Sequence, residues 1–154
     1  MIYQIDQSGK IEQTSKNTVI ACTNGTNTTI LLKKSEKRRL QKDFKDMGVP
    51  KLFIPLTFAV LIALLINRVK PTHKVIVDRE YTGYEKFIGE KIADYLNHLG
   101  MKNQPNVLFS HVGKLSRAHK LAFIVAVGKK KSDLVITEKE VLKVILGAKK
   151  IETA

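Results

Sequence analysis

Residues 52–66, LFIPLTFAVLIALLI, are fifteen successive positions without a charge or an amide. So much apolar surface must leave water, which makes the stretch either a membrane span or the central element of a core. A spanning helix needs about 20 apolar residues, with about 17 as the lower limit. This run is shorter, and Pro55 and Thr57 interrupt its first part. Proline is tolerated in the first turn of a helix, so the spacing predicts a helix from near Ile54 to near Arg68. Lys70-Pro71-Thr72 then makes a turn into KVIVD, residues 74–78, a β-branched run of the buried-strand type. A helix delivered straight into a buried strand belongs to an α/β domain. The expectation is a core helix and no membrane span.

The remaining elements follow from periodicity and turn signals. IYQID (2–6), TVIACT (18–23) and TTILL (28–32) read as three strands, with turns at Ser8-Gly9 and Asn24-Gly25. Residues 35–48 carry Leu40, Phe44 and Met47 at helical spacing, with Ser35 as a cap and Gly48 as a stop. Residues 84–100 place Tyr84, Phe87, Ile88, Ile92, Tyr95, Leu96 and Leu99 on one helical face. NVLFSHV (106–112) reads as a fifth strand, and residues 116–128 as a helix capped by Ser116. Thr137 and Glu140 form a capping box for a last helix over 138–150. One domain is expected over 1–154, with a core in about 1–128 and a C-terminal helical extension over about 133–150.

Charge narrows the partners. Lys and Arg number 27 against 14 Asp and Glu, a formal net charge of +13. Such a field captures polyanions, nucleic acid first and anionic lipid second. Lys33, Lys34, Lys37, Arg38, Arg39, Lys42 and Lys45 concentrate on the helix at 35–48 and suit a track along phosphates; Lys129, Lys130 and Lys131 form a second cluster. The lone Cys22 excludes an intrachain disulfide and a cysteine zinc cluster, and within VIAC it reads as a small core residue. MIYQIDQSGK lacks the pattern of a secretory signal, so a reducing, cytoplasmic setting is expected. Phosphate-binding glycine loops, nucleophile elbows and helical zinc-histidine pairs are absent.

Two apolar strands end in aspartate: IYQIDQSG at Asp6 and KVIVDREYTG at Asp78. Together with the order of three strands, helix, strand, helix, strand, helix, these motifs resemble the ribonuclease H-like superfamily. SHVGKLSRAHKLA is similar to that family's last loop and helix, with His111 and Gly113 as the mobile loop and His119 where a further aspartate is usual. The resemblance implies a mixed five-stranded sheet with helices on both faces. It also implies Mg²⁺ or Mn²⁺ held by Asp6 and Asp78, with His119 completing the site and His111 as a proton shuttle. The substrate would be an RNA/DNA hybrid, RNA or branched DNA. The family's helix glutamate falls at Leu56 or Thr57, which cannot replace a carboxylate. Glu36 is the first substitute, with Glu12, Glu80 and Asp133 behind it. Glu80 follows Asp78 by two residues and would share its face if the strand continued. Tyr81 and Tyr84 are candidates to stack on bases, Tyr84 also for the core. The alternative function is a non-catalytic nucleic-acid-binding or scaffold module of the same fold.

Overall fold

β1 (Ile2–Ser8), β2 (Thr18–Thr23) and β3 (Thr28–Leu32) form an antiparallel meander, and β4 (Lys74–Asp78) lies parallel to β1. The computed structural model describes residues 2–113 and 116–153, with side chains to residue 148. β5 (Asn106–Ser110) continues parallel to β4. The sheet has six strands rather than the five expected, because Leu134–Ile136 adds β6 parallel to β3. The order is β5-β4-β1-β2-β3-β6, a mixed sheet flanked by helices. Gly9 closes the β1–β2 connection at φ +78°, where an added Cβ would lie 2.1 Å from the Asn17 carbonyl oxygen. Only glycine fits there.

Strand alternation divides the side chains between two faces. Tyr3, Ile5, Ile20, Cys22, Val75 and Val77 enter the main core with α2 (Phe53–Val69), α3 (Glu85–His98) and α5 (Glu138–Thr153). Val19 and Ala21 face the other way, against Leu121, Ala122 and Val125 of α4 (Arg117–Ala126). Helices therefore cover both faces.

The long apolar run is α2, and Leu61, Ile62 and Leu65 within it are fully enclosed. Truncating any one to alanine costs about 2–5 kcal/mol. Lys70 ends the helix in the left-handed region at φ 54°, donating its N–H to the Ile66 carbonyl, and Pro71 prevents continuation. Helix Pro50–Val69, which includes a leading 3-10 turn, is long and apolar enough to cross a membrane, yet 67% of its most apolar stretch is buried inside the protein. No membrane span is evident among the described residues.

Four local expectations are corrected. α1 (Lys34–Asp46) is capped by Lys33 rather than Ser35, its first N–H being taken by the Asn17 side chain. Leu40 and Phe44 are buried as expected, but Met47 is exposed beyond the helix end. Tyr84 precedes α3 and is 55% exposed, so it does not belong to the core. The C-terminal segment is no peripheral extension: Val141, Val144, Ile145 and Ala148 of α5 complete the main core.

Candidate metal centre

Asp6 and Asp78 meet because of register. Ile5 pairs with Val77 across the parallel β1–β4 ladder, so the next residues on both strands stand side by side at their carboxyl ends. Ile5 and Val77 point into the main core, which turns both aspartates toward the α4 face. β4 ends at Asp78, and a turn closed by the Glu80 N–H on the Asp78 carbonyl brings Glu80 back beside them. Ligand oxygens of Asp6, Asp78 and Glu80 all lie within 4.8 Å of one another.

Each aspartate is held by backbone amides. The Gln7 N–H donates to Asp6 Oδ1 at 2.7 Å, and the Val112 N–H donates to Asp78 Oδ1 at 2.8 Å. The second contact sets the loop at 111–113, with exposed His111, against Asp78. Asp6 Oδ2 meets His119 Nδ1 at 3.0 Å. Ser116 caps α4 by accepting the His119 N–H, which fixes the first turn that presents the imidazole.

The electrostatics are those of an uncompensated acidic cluster. Asp6 is only 4% exposed; burial, reinforced by the charge of Asp78, raises its carboxyl to about 6 against the pull of the Gln7 N–H and His119. Glu80 is raised by burial and then by Asp78, with Lys10 acting in the opposite direction. Among the described residues, no Lys or Arg forms an ion pair with any of the three, and the His119 ring meets Asp6. Clustered hard oxygen donors with this excess of negative charge could hold a divalent cation such as Mg²⁺ or Mn²⁺.

A supporting layer lies behind the carboxylates. Tyr81 OH accepts from Gln7 Nε2 at 3.2 Å and from the Ile11 N–H at 3.1 Å, and donates to Glu12 Oε1 at 3.3 Å. Its hydroxyl is fully used. Its ring packs edge-on against Phe58 of α2, with centroids 4.9 Å apart. Tyr81 is therefore unavailable to stack on a base, and Glu12 is committed to this network.

Other expected site residues lie elsewhere. Glu36 accepts the Glu138 N–H at the start of α5 and pairs with Arg39, so it ties α1 to α5 rather than joining the aspartates. Asp133 accepts from the Thr29 N–H and hydroxyl. Thr29 is two strands from Asp6 in the Asp6–Ala21–Thr29 row, roughly 10 Å away. Leu56 and Thr57 are buried within α2.

The basic helix needs one correction. Lys33, Lys34, Arg38, Arg39 and Lys42 are exposed, but Lys37 is completely enclosed and cannot reach a phosphate. Its Nζ donates to the carbonyls of Lys10 and Gln13 and to the Thr18 hydroxyl, and burial lowers its pKa to about 8. Arg39 and Lys42 have acidic partners one turn away, Glu36 and Asp46, while Arg38 holds the Thr14 carbonyl. Burial pushes the Cys22 thiol up to about 12, consistent with an inert core residue.

Gln7, the Val112 amide and the Tyr81 network carry no signal in the sequence pattern. The Gln7 amide depends on a turn 74 residues away, and no periodicity could have signalled it. No protein-family model matches this chain, and neither a curated protein nor a solved structure is detectably similar to it.

Proposed function

We propose that this chain is a ribonuclease H-like, divalent-metal-dependent hydrolase of nucleic-acid phosphodiesters. The observation that carries the reading is the meeting of Asp6 and Asp78, on adjacent parallel strands, with Glu80 of the turn after β4, under the helix that presents His119. The order β5-β4-β1-β2-β3, with α4 alone on one face of the sheet among the described residues, supports the fold assignment; β6 and α5 are additions to it. Glu80 takes the part of the missing helix glutamate. Mg²⁺ or Mn²⁺ held by Asp6, Asp78 and Glu80 would supply an activated water and stabilise the departing oxygen.

The protein's own groups then have distinct tasks. Backbone amides of Gln7 and Val112 lock the carboxylate rotamers. His119, one-third exposed and hydrogen-bonded to buried Asp6, links that carboxylate to solvent. Exposed Lys33, Lys34, Arg38, Arg39 and Lys42, within a net charge of +13, draw in the polyanion without reading its sequence.

The burial of Leu56 and Thr57 favours a second reading, a non-catalytic nucleic-acid-binding module, because the helix that would carry the glutamate carries none. Incubation with RNA/DNA hybrid, RNA and branched DNA in Mn²⁺ separates the two. Cleavage of one class, abolished in Asp78→Asn, is expected of the hydrolase; binding of all three without cleavage selects the module.

A further inference from the structure

The carboxylates occupy one end of the α4 face, and a cleft of about 390 Å³ opens farther along it. Its walls are Ser8 and Gly9 of β1 and its turn, Lys16 and Asn17 of the following loop, Lys34 of α1, and Phe123 of α4. Ser8 lies two residues beyond Asp6 on the same strand face, roughly 7 Å away. Phe123 lies one helical turn beyond His119, about 6 Å away. The cleft therefore starts about one nucleotide step of an extended strand from the acidic cluster.

The walls are preorganised. Buried Lys37 ties the loop down through Lys10, Gln13 and Thr18, and Asn17 Oδ1 accepts the Lys34 N–H at 2.9 Å. The Thr18 hydroxyl donates to the Gly9 carbonyl at 2.7 Å. Into this frame Lys16 and Lys34 present exposed ammonium groups, while the Phe123 ring is 51% exposed and belongs to neither core. An aromatic platform beside fixed cations is how single strands are bound, by stacking and phosphate neutralisation together. A second copy of the chain is a poor occupant, since both partners would carry +13.

We propose that this cleft is a single-strand nucleotide subsite, with a base stacked on Phe123 and the adjoining phosphate held by Lys16 and Lys34. Its position relative to the cleaved bond rests on the hydrolase reading; its capacity to bind a strand does not.

The test is fluorescence anisotropy of a labelled single-stranded hexanucleotide, with chelator present to prevent cleavage. Phe123→Ala is expected to weaken binding about tenfold, Phe123→Tyr to retain it, and Phe123→Leu to lose it. Replacing both Lys16 and Lys34 by alanine should reduce the slope of log affinity against log salt by about 0.7, the value for one lost phosphate contact on a single strand. Unchanged melting of each variant confirms that the surface, not the fold, was altered. Unchanged affinity in both Phe123→Ala and the lysine pair overturns the subsite. Phe123→Leu binding the hexanucleotide as tightly as wild type also overturns it, since an apolar contact would then suffice. Binding to phosphatidylserine vesicles in place of the hexanucleotide assigns the patch to a membrane surface and overturns it too. Cleavage with KM unaffected by these variants removes the subsite and leaves the hydrolase. Phe123-dependent binding without cleavage under any divalent metal keeps the subsite and removes the hydrolase.

Discussion

Replacing Asp6 with asparagine should stabilise the metal-free protein at neutral pH and leave it unchanged in acid. Asp6 has its carboxyl raised from 3.8 to about 6, first by burial and then by Asp78. A carboxyl raised on folding is protonated in both states below about 4, so no penalty exists there. Between 3.8 and about 6 the native state binds more protons than the unfolded chain, and stability falls as pH rises through that window. Above it the full penalty applies. At about 1.4 kcal/mol per pH unit, the interval is worth roughly 3 kcal/mol. Asparagine keeps an oxygen for the Gln7 N–H, and its amide can donate to His119 Nδ1, so both hydrogen bonds survive. Urea denaturation of wild type and Asp6→Asn from pH 4 to 8, in chelator, reads the difference directly. The expected gain is near zero at pH 4 and approaches roughly 3 kcal/mol above pH 7. Saturating Mn²⁺ should reverse the order, because the ion stabilises only the carboxylate form. A pH-independent difference, or a loss of stability at pH 7.5 in chelator, would show that Asp6 is not held against its own charge.

Three further outcomes follow from the same contacts. Lys37→Met leaves the Lys10 and Gln13 carbonyls and the Thr18 hydroxyl without their donor, so chemical denaturation should show a loss of about 2–4 kcal/mol. Gly9→Ala meets both a positive φ and the Asn17 carbonyl, and thermal melting should fall by several degrees through a loss of about 2 kcal/mol or more. Ser116→Ala removes the α4 cap at about 1 kcal/mol and loosens His119, which should show as a weakened Asp6–His119 contact in side-chain NMR.

The positions of β1 to β5 and of the helices were legible because each carries either a periodic apolar pattern or, as in α2 and β4, an unbroken apolar run bounded by turn residues. β6 escaped because Leu134, Val135 and Ile136 are too few to show alternation, and β6 exists through pairing with β3 across a hundred residues. The pairing of Asp6 with Asp78 was implied by the ribonuclease H-like resemblance, and the parallel β1–β4 register sets the two strand ends side by side. The third carboxylate was harder to identify. Glu80 shares the period of Asp78 and was a lesser candidate, while Glu36 was preferred although its real partner, the Glu138 amide, lies 102 residues away. Lys37 read as one cation among seven because composition carries no information about the loop carbonyls that enclose it. Tyr81 and Tyr84 exchanged roles for a related reason: α3 starts only at Glu85, which leaves Tyr84 outside and Tyr81 folded against Phe58.

Mn²⁺ soaked into crystals at pH 7.5 tests the metal centre most directly. The account predicts anomalous density coordinated by Asp6, Asp78 and Glu80 at about 2.1–2.6 Å from their oxygens, and its loss in Asp78→Asn. No density there at saturating Mn²⁺, or density that persists unchanged in Asp78→Asn, would contradict it.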